Sequence, residues 1–155
     1  VVDESLLLLK AAALLHDAGF IEQYDKNESI GERFAAEMLP KHGFNEQQIK
    51  QVQNLIKVTA FPHQPSNLLE QIICDADLDY LGRDDFFVIG DKLFEELSMF
   101  GIVNSERDWN LLQEKFLESH HYFTETAINS RNQKKQANLN IIKTKLKNIQ
   151  VLGMG

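Results

Sequence analysis

Residues 5–15 are almost entirely leucine and alanine around one lysine, Lys10, and they run straight into His16 and Asp17. Such a run is a good helix former, and a helix that is apolar nearly all round is usually buried in the middle of its domain. Ending it in an imidazole and a carboxylate is costly unless the two are paired or hold a cation. Gly19 suits the left-handed position after a helix end. The last helical turn is therefore expected to carry both side chains, about 100° apart, toward one cavity. Read alone, the stretch also fits an exposed C-terminal turn in which His16 favours the helix dipole and Asp17 is a turn residue.

The rest of the chain follows the helical period, and strand patterns are scarce, which points to an all-α fold. The spacing predicts a helix over 28–39, with Ile30, Phe34, Ala35, Met38 and Leu39 on one face and Pro40 and Gly43 closing it. Asn45 and Gln48 form a capping-box pattern. They open a helix to about Thr59, striped by Ile49, Val52, Leu55 and Ile56. Two prolines make 60–66 a loop. Helices are expected over 67–81 and 86–100, the second capped by Asp84 or Asp85 and ended by Gly101. Ser105 with Asp108 opens the region 106–149, which no breaker interrupts, so it reads as one long helix or two joined by a kink. Its stripe Leu139, Ile142, Leu146 and Ile149 could pack on the bundle or on a second copy of the chain.

A length of 155 residues suits one domain, 1–155, of five to seven helices. The chain begins with Val1 and enters a helix almost at once, so an N-terminal helix is expected to be missing. A net charge of −7 argues against a nucleic-acid polymer as partner. The single cysteine, Cys74, excludes an intramolecular disulfide and a cysteine-rich zinc site and fits a reducing compartment. No apolar run approaches a membrane span, and the expected location is cytoplasmic.

The second informative stretch is 74–84, CDADLDYLGRD. Alternate residues of a helix point about 200° apart, so Asp75, Asp77 and Asp79 cannot all share one face. Arg83, four residues after Asp79, is a local partner for it. Cys74, Tyr80 and Trp109 read as core residues, and His42 as a surface histidine at a helix end.

Taken together, His-Asp ending one helix and Asp-x-Asp on a later one supply nitrogen and carboxylate ligands without a thiol. That set suits Mn, Fe, Co, Ni or Zn with open positions for water and substrate. At ALLHDAGF and CDADLDYLGRD the chain resembles the HD-domain metal-dependent phosphohydrolases. The likeness extends through NESIGERFAAEMLP, IKVTAFPHQPSNLLEQII and FLESHHYFTETAINSR. It implies His16, Asp17 and Asp77 as metal ligands, with Asp75 beside the site and the alternative ligand. The family's isolated histidine, expected on a preceding helix, has no match here. Where members with two metals carry further histidines this chain has Asn27, before Glu28, and Thr59, and only His63 could substitute. One divalent cation is therefore expected, Mn, Fe, Co, Ni, Zn or Mg.

The resemblance implies hydrolysis of a small phosphate ester such as a nucleotide by a metal-activated water. Glu28 or Asp75 would take the proton, and Arg83, then Lys57, would face the phosphate. His120, Thr124, Ala127, Arg131 and Lys134 fall at alternating four- and three-residue steps. As one helical face they would offer His120 and Arg131 to the substrate; as a solvated face they would lie opposite Phe116, Phe123 and Ile128. The missing upstream histidine, Asn27 and Thr59 favour a different class: a catalytically degenerate HD-like regulatory or ligand-sensing module. Either protein could form homo-oligomers through the C-terminal helix.

Overall fold

The structure is a computed structural model that describes residues 3–17 and 27–153. Gly19, the polar connection after it and the side chain of Asn27 lie outside the described residues. Among the described residues there are seven α-helices and two 3-10 turns, with no strand, as the all-α reading requires. The chain divides into two compact units, Val1–Asp77 and Leu78–Gly155.

The first unit holds α1 (Asp3–Leu15), α2 (Asn27–Met38), a 3-10 turn (Leu39–His42), α3 (Glu46–Val58) and α4 (Leu68–Asp77). Its core joins Leu8, Leu9 and Ala12 of α1 to Ala35, Leu39, Val52, Leu55, Ile56 and Ile73. The capping box at Asn45 is present in both directions, and Gly43 closes the 3-10 turn at φ 83°. One expectation fails: α1 is not a central buried helix. It buries one face only, while Leu6 and Leu7 are about half exposed and Leu14 is 82% exposed. Its neighbours within the unit are α2, α3 and α4, and they leave those leucines uncovered.

The second unit holds a 3-10 turn (Asp79–Gly82), α5 (Phe86–Met99), α6 (Glu106–Ser119) and α7 (Glu125–Leu152). The helix expected over 67–81 thus stops at Asp77. Carbonyls freed by the tighter turn are taken up from far along the chain. Tyr122 Oη donates to Leu78 O at 3.0 Å, and Asn138 Nδ2 donates to Leu81 O at 3.0 Å. Asp85 precedes α5 without capping it, because its carboxylate is engaged by Arg83.

The region 106–149 is neither one helix nor a kinked pair. It is α6 and α7, separated by residues 120–124. His120 is extended (φ −79°, ψ 135°), and Thr124 restarts the helix by accepting from Ala127 N at 3.2 Å. Lys135 of α7 reaches back and donates to the His120 carbonyl at 2.6 Å, which fixes the break. Leu139, Ile142 and Leu146 are buried in this unit's own core with Leu81, Phe86 and Leu117.

Gly31 sets how closely α1 and α2 approach. A Cβ there would lie 2.7 Å from Leu15 O and 3.2 Å from Ile56 Cγ2, with His16 O next at 3.7 Å. Alanine is favoured over glycine in a helix by about 1 kcal/mol, but a clash with backbone forces the end of α1 to move. Gly31→Ala is therefore expected to destabilise the protein by about 1–3 kcal/mol, read as a lower urea midpoint. A raised midpoint would show that α1 yields freely.

Candidate metal centre

The first unit brings together side chains that are far apart in sequence. His16 follows the last turn of α1, and its Nδ1 donates to Ala13 O at 2.8 Å. That bond fixes the ring and turns Nε2 away from its own helix. Nε2 then meets Asp77 Oδ1 at 3.1 Å and Asp17 Oδ2 at 3.1 Å. Asp77 sits on the final residue of α4. Its other oxygen, Oδ2, lies 3.3 Å from His63 Nε2.

His63 is the side chain whose place the sequence left open. It is only 3% exposed, in the proline loop between α3 and α4. Its Nε2 also faces Thr59 O at 3.2 Å, so that nitrogen carries the proton and donates to both oxygens. The opposite nitrogen, Nδ1, is buried without a hydrogen-bond partner. Phe61 packs against the ring edge-on at 5.8 Å. His63 therefore pins one oxygen of Asp77 and leaves the other toward His16. Thr59, where two-metal relatives are expected to carry a histidine, turns its hydroxyl onto Ile56 O at 2.6 Å.

The electrostatics follow from this packing. Hydrogen bonds that His16 donates to Asp17 and Asp77 raise its pKa to about 10, against the opposing effect of burial. Burial pushes Asp77 up, but the hydrogen bonds from His16 and His63 outweigh it and hold its carboxyl below the ordinary value of 3.8. Cys74 is fully buried, its thiol pushed up to about 12 by burial, and it stays a core residue.

The donor chemistry fits a divalent cation: one imidazole nitrogen aimed at two carboxylate oxygens, with the ring held by a backbone carbonyl. The 3.1 Å separations are also close to the spacing of neighbouring ligands on a cation bound at about 2.1 Å. Among the described residues, no three His, Cys, Asp or Glu side chains are already spread around a common point as a metal cage. A proton on His16 takes the role of the cation.

The other candidates fall into place around this cluster or away from it. Asp75 is 5% exposed and leaves α4 on another side from Asp77, so Asp77 and not Asp75 meets His16. Glu28 is half-buried in the first turn of α2, and Lys57 is exposed on α3. Arg83, His120 and Arg131 belong to the second unit. Arg83 binds Asp85 at 2.6 Å and stands only 3.8 Å from Asp79, which is instead held by Arg131 at 2.7 Å. The expected helical face of His120 with Arg131 does not exist. His120 precedes α7 and is 3% exposed, stacked edge-on with Tyr122 at 4.6 Å.

Compared with protein families, the chain matches the HD domain over residues 2–79. The chain belongs to the HD-domain family, an all-α family made up largely of metal-dependent hydrolases. No curated protein and no solved structure gives a match. Among the described residues, no helix is long and apolar enough to cross a membrane.

The clustered charges give the metal-free protein a definite pH dependence. The folded pKa of His16 lies above its ordinary 6.5, so its contribution is complete below 6.5 and lost as the pH rises through about 10. Asp77 is lowered, so its contribution is complete above 3.8 and lost as the pH falls through its lower folded value. Urea midpoints of chelator-treated protein are expected to peak between those limits and to fall on both sides. Asp77→Asn is expected to flatten both slopes; a variant with unchanged slopes would contradict the pairing.

Proposed function

We propose that the chain is a mononuclear metal-dependent phosphohydrolase acting on a small phosphate ester such as a nucleotide. The observation that carries this reading is the convergence of His16 Nε2 on Asp77 Oδ1 and Asp17 Oδ2, both at 3.1 Å, in a chain of the HD-domain family. The chemistry supplied by a bound divalent cation is Lewis acidity toward water and the phosphoryl oxygen.

The remaining work falls to the chain's own groups. His16, Asp17 and Asp77 hold the cation, and His63 fixes Asp77 by its other oxygen. Glu28 accepts the proton of the attacking water; Asp75, buried on another side of α4, is less suited. Lys57 lines a polar cavity of about 360 Å³ with Asn54, Gln64, Ser66 and Glu70, beside the loop that carries His63. Its ammonium is the cation of the first unit that meets a phosphate there. Arg83 and Arg131, in the second unit, already hold carboxylates.

One observation favours a second reading, the catalytically degenerate regulatory module: the cluster is closed by its own hydrogen bonds. Elemental analysis decides between the two. Purified protein is expected to carry about one transition metal per chain, absent from Asp17→Ala of unchanged helical content. No metal in either, even after reconstitution with Mn or Fe, would give the degenerate reading precedence. With the metal established, Lys57→Ala is expected to raise KM for a phosphate ester roughly tenfold while kcat changes little. An unchanged KM would remove Lys57 from substrate binding.

A further inference from the structure

We infer that Tyr122 is a positioning residue for the metal centre: its hydroxyl holds the turn that leaves Asp77, and through that turn it keeps the Asp77 carboxylate in place. The inference rests on the reading of Asp77 as a metal ligand. Asp77 is the final residue of α4. The last turn of a helix frays because its carbonyls lack partners further along the helix. A ligand placed there keeps its direction only if the chain beyond it is fixed.

The residues beyond Asp77 are held by groups of their own unit. Leu78 leaves the helix at φ −111° and ψ 20° and opens the 3-10 turn Asp79–Gly82. Tyr122, 5% exposed, donates from Oη to Leu78 O at 3.0 Å and lies 3.4 Å from Asp79 O. Arg131 grips the Asp79 carboxylate through Nε at 2.7 Å and Nη2 at 3.3 Å. Asn138 donates to Leu81 O at 3.0 Å and to Arg83 O at 3.3 Å. Gly82 lets the turn lie directly against α7, since a Cβ there would strike the Arg131 carbonyl. These donors come from α7 or the segment just before it, and the carbonyls they hold begin one residue after Asp77. The coupling runs through the peptide bond between Asp77 and Leu78 and requires no contact between the two units.

Of these groups, Tyr122 holds the carbonyl next in the chain to the ligand, and its hydroxyl can be separated from its packing. The ring lies edge-on to His120 at 4.6 Å, and the Lys135 ammonium stands 5.4 Å from its centre. A phenylalanine keeps both contacts and deletes the bonds to Leu78 and Asp79. The Asp79–Arg131 pair gives a second handle on the same turn. Its side chains are 32% and 35% exposed, so the pair contributes little to global stability, yet it fixes the second residue after Asp77.

The test is calorimetric titration of the chelator-treated full-length protein with Mn²⁺ and, separately, with Zn²⁺. Tyr122→Phe is expected to raise the metal Kd about three- to tenfold, with helical content unchanged and Tm lowered by about 2–6 °C. Ser105→Ala is the comparison. It removes the hydroxyl that caps α6 by accepting from Asp108 N at 3.1 Å, and it lowers Tm by a similar amount. Its metal affinity is expected to stay that of the wild type, because that cap holds none of residues 78–83. Should the phenylalanine variant fail to fold, Arg131→Leu carries the test. Losing a positive charge by itself favours a cation, so the several-fold weaker binding expected there reports the loosened turn. Metal affinity unchanged in Tyr122→Phe, or weakened equally by Ser105→Ala, would overturn this inference alone. A wild-type protein that binds neither cation would overturn the metal-ligand reading and this inference with it.

Discussion

The first unit depends on one carboxylate that two imidazoles hold by opposite oxygens. Asp77 takes His16 on Oδ1 and His63 on Oδ2, which ties the end of α1 and the proline loop to the end of α4. Each bond alone is modest. Together they decide which oxygen stays toward Asp17 and His16, and a metal centre needs that orientation as much as it needs the ligands themselves. Backbone groups complete the arrangement: Ala13 O sets the His16 ring and Thr59 O sets the His63 ring. Gly31 lets α2 come close enough to keep the end of α1 where His16 can use it.

The parts legible in the sequence were those governed by local rules. Helical periodicity marked the elements, and the capping residues Asn45, Ser105 and Gly101 appear where their side chains or φ values make them useful. The grouping of His16-Asp17 with the acids of 75–79 rested on their combined nitrogen and carboxylate ligand chemistry and on resemblance. The choice of Asp77 over Asp75 rested on resemblance, because the number of residues along a helix does not say which side the neighbouring helix covers. His63 showed only as a histidine in a proline loop. Its partner is fourteen positions later, and nothing in the local pattern connects the two.

The break at residues 120–124 was illegible for a related reason. HHYFT contains neither glycine nor proline, and each residue is tolerated in a helix. What ends α6 there is tertiary: Lys135 donates to the His120 carbonyl, and Tyr122 spends its hydroxyl on the carbonyls of Leu78 and Asp79. Likewise, α1 reads as a central helix because its composition is apolar all round, yet half of that surface is exposed. Composition states what a helix can bury; the neighbours determine what it does bury.

The two units place their polar cost differently. In the first, charged groups meet within hydrogen-bond reach, and the neutral imidazole of His16 with its two carboxylates is a negative cluster that either a proton on Nε2 or a cation in its place can complete. In the second, Lys135 is buried with its pKa lowered by desolvation, but its ammonium is bound to a carbonyl and lies 5.4 Å from the centre of the Tyr122 ring. Asn138, 1% exposed, is likewise matched to backbone carbonyls. Among the described residues, Asn110 Nδ2 in the second unit and His63 Nδ1 in the first depart from that background of buried groups supplied with partners. They differ in what surrounds them. His63 Nδ1 is the lone-pair side of a ring whose opposite nitrogen already fixes Asp77, so its cost is the consequence of that orientation. Asn110 Nδ2 is enclosed by the protein itself, while the same amide's Oδ1 accepts from Gln113 Nε2 at 3.5 Å. The unmatched acceptor on the far side of His63 is the cost of holding the Asp77 carboxylate still, since a ring that turned to satisfy Nδ1 would release Oδ2.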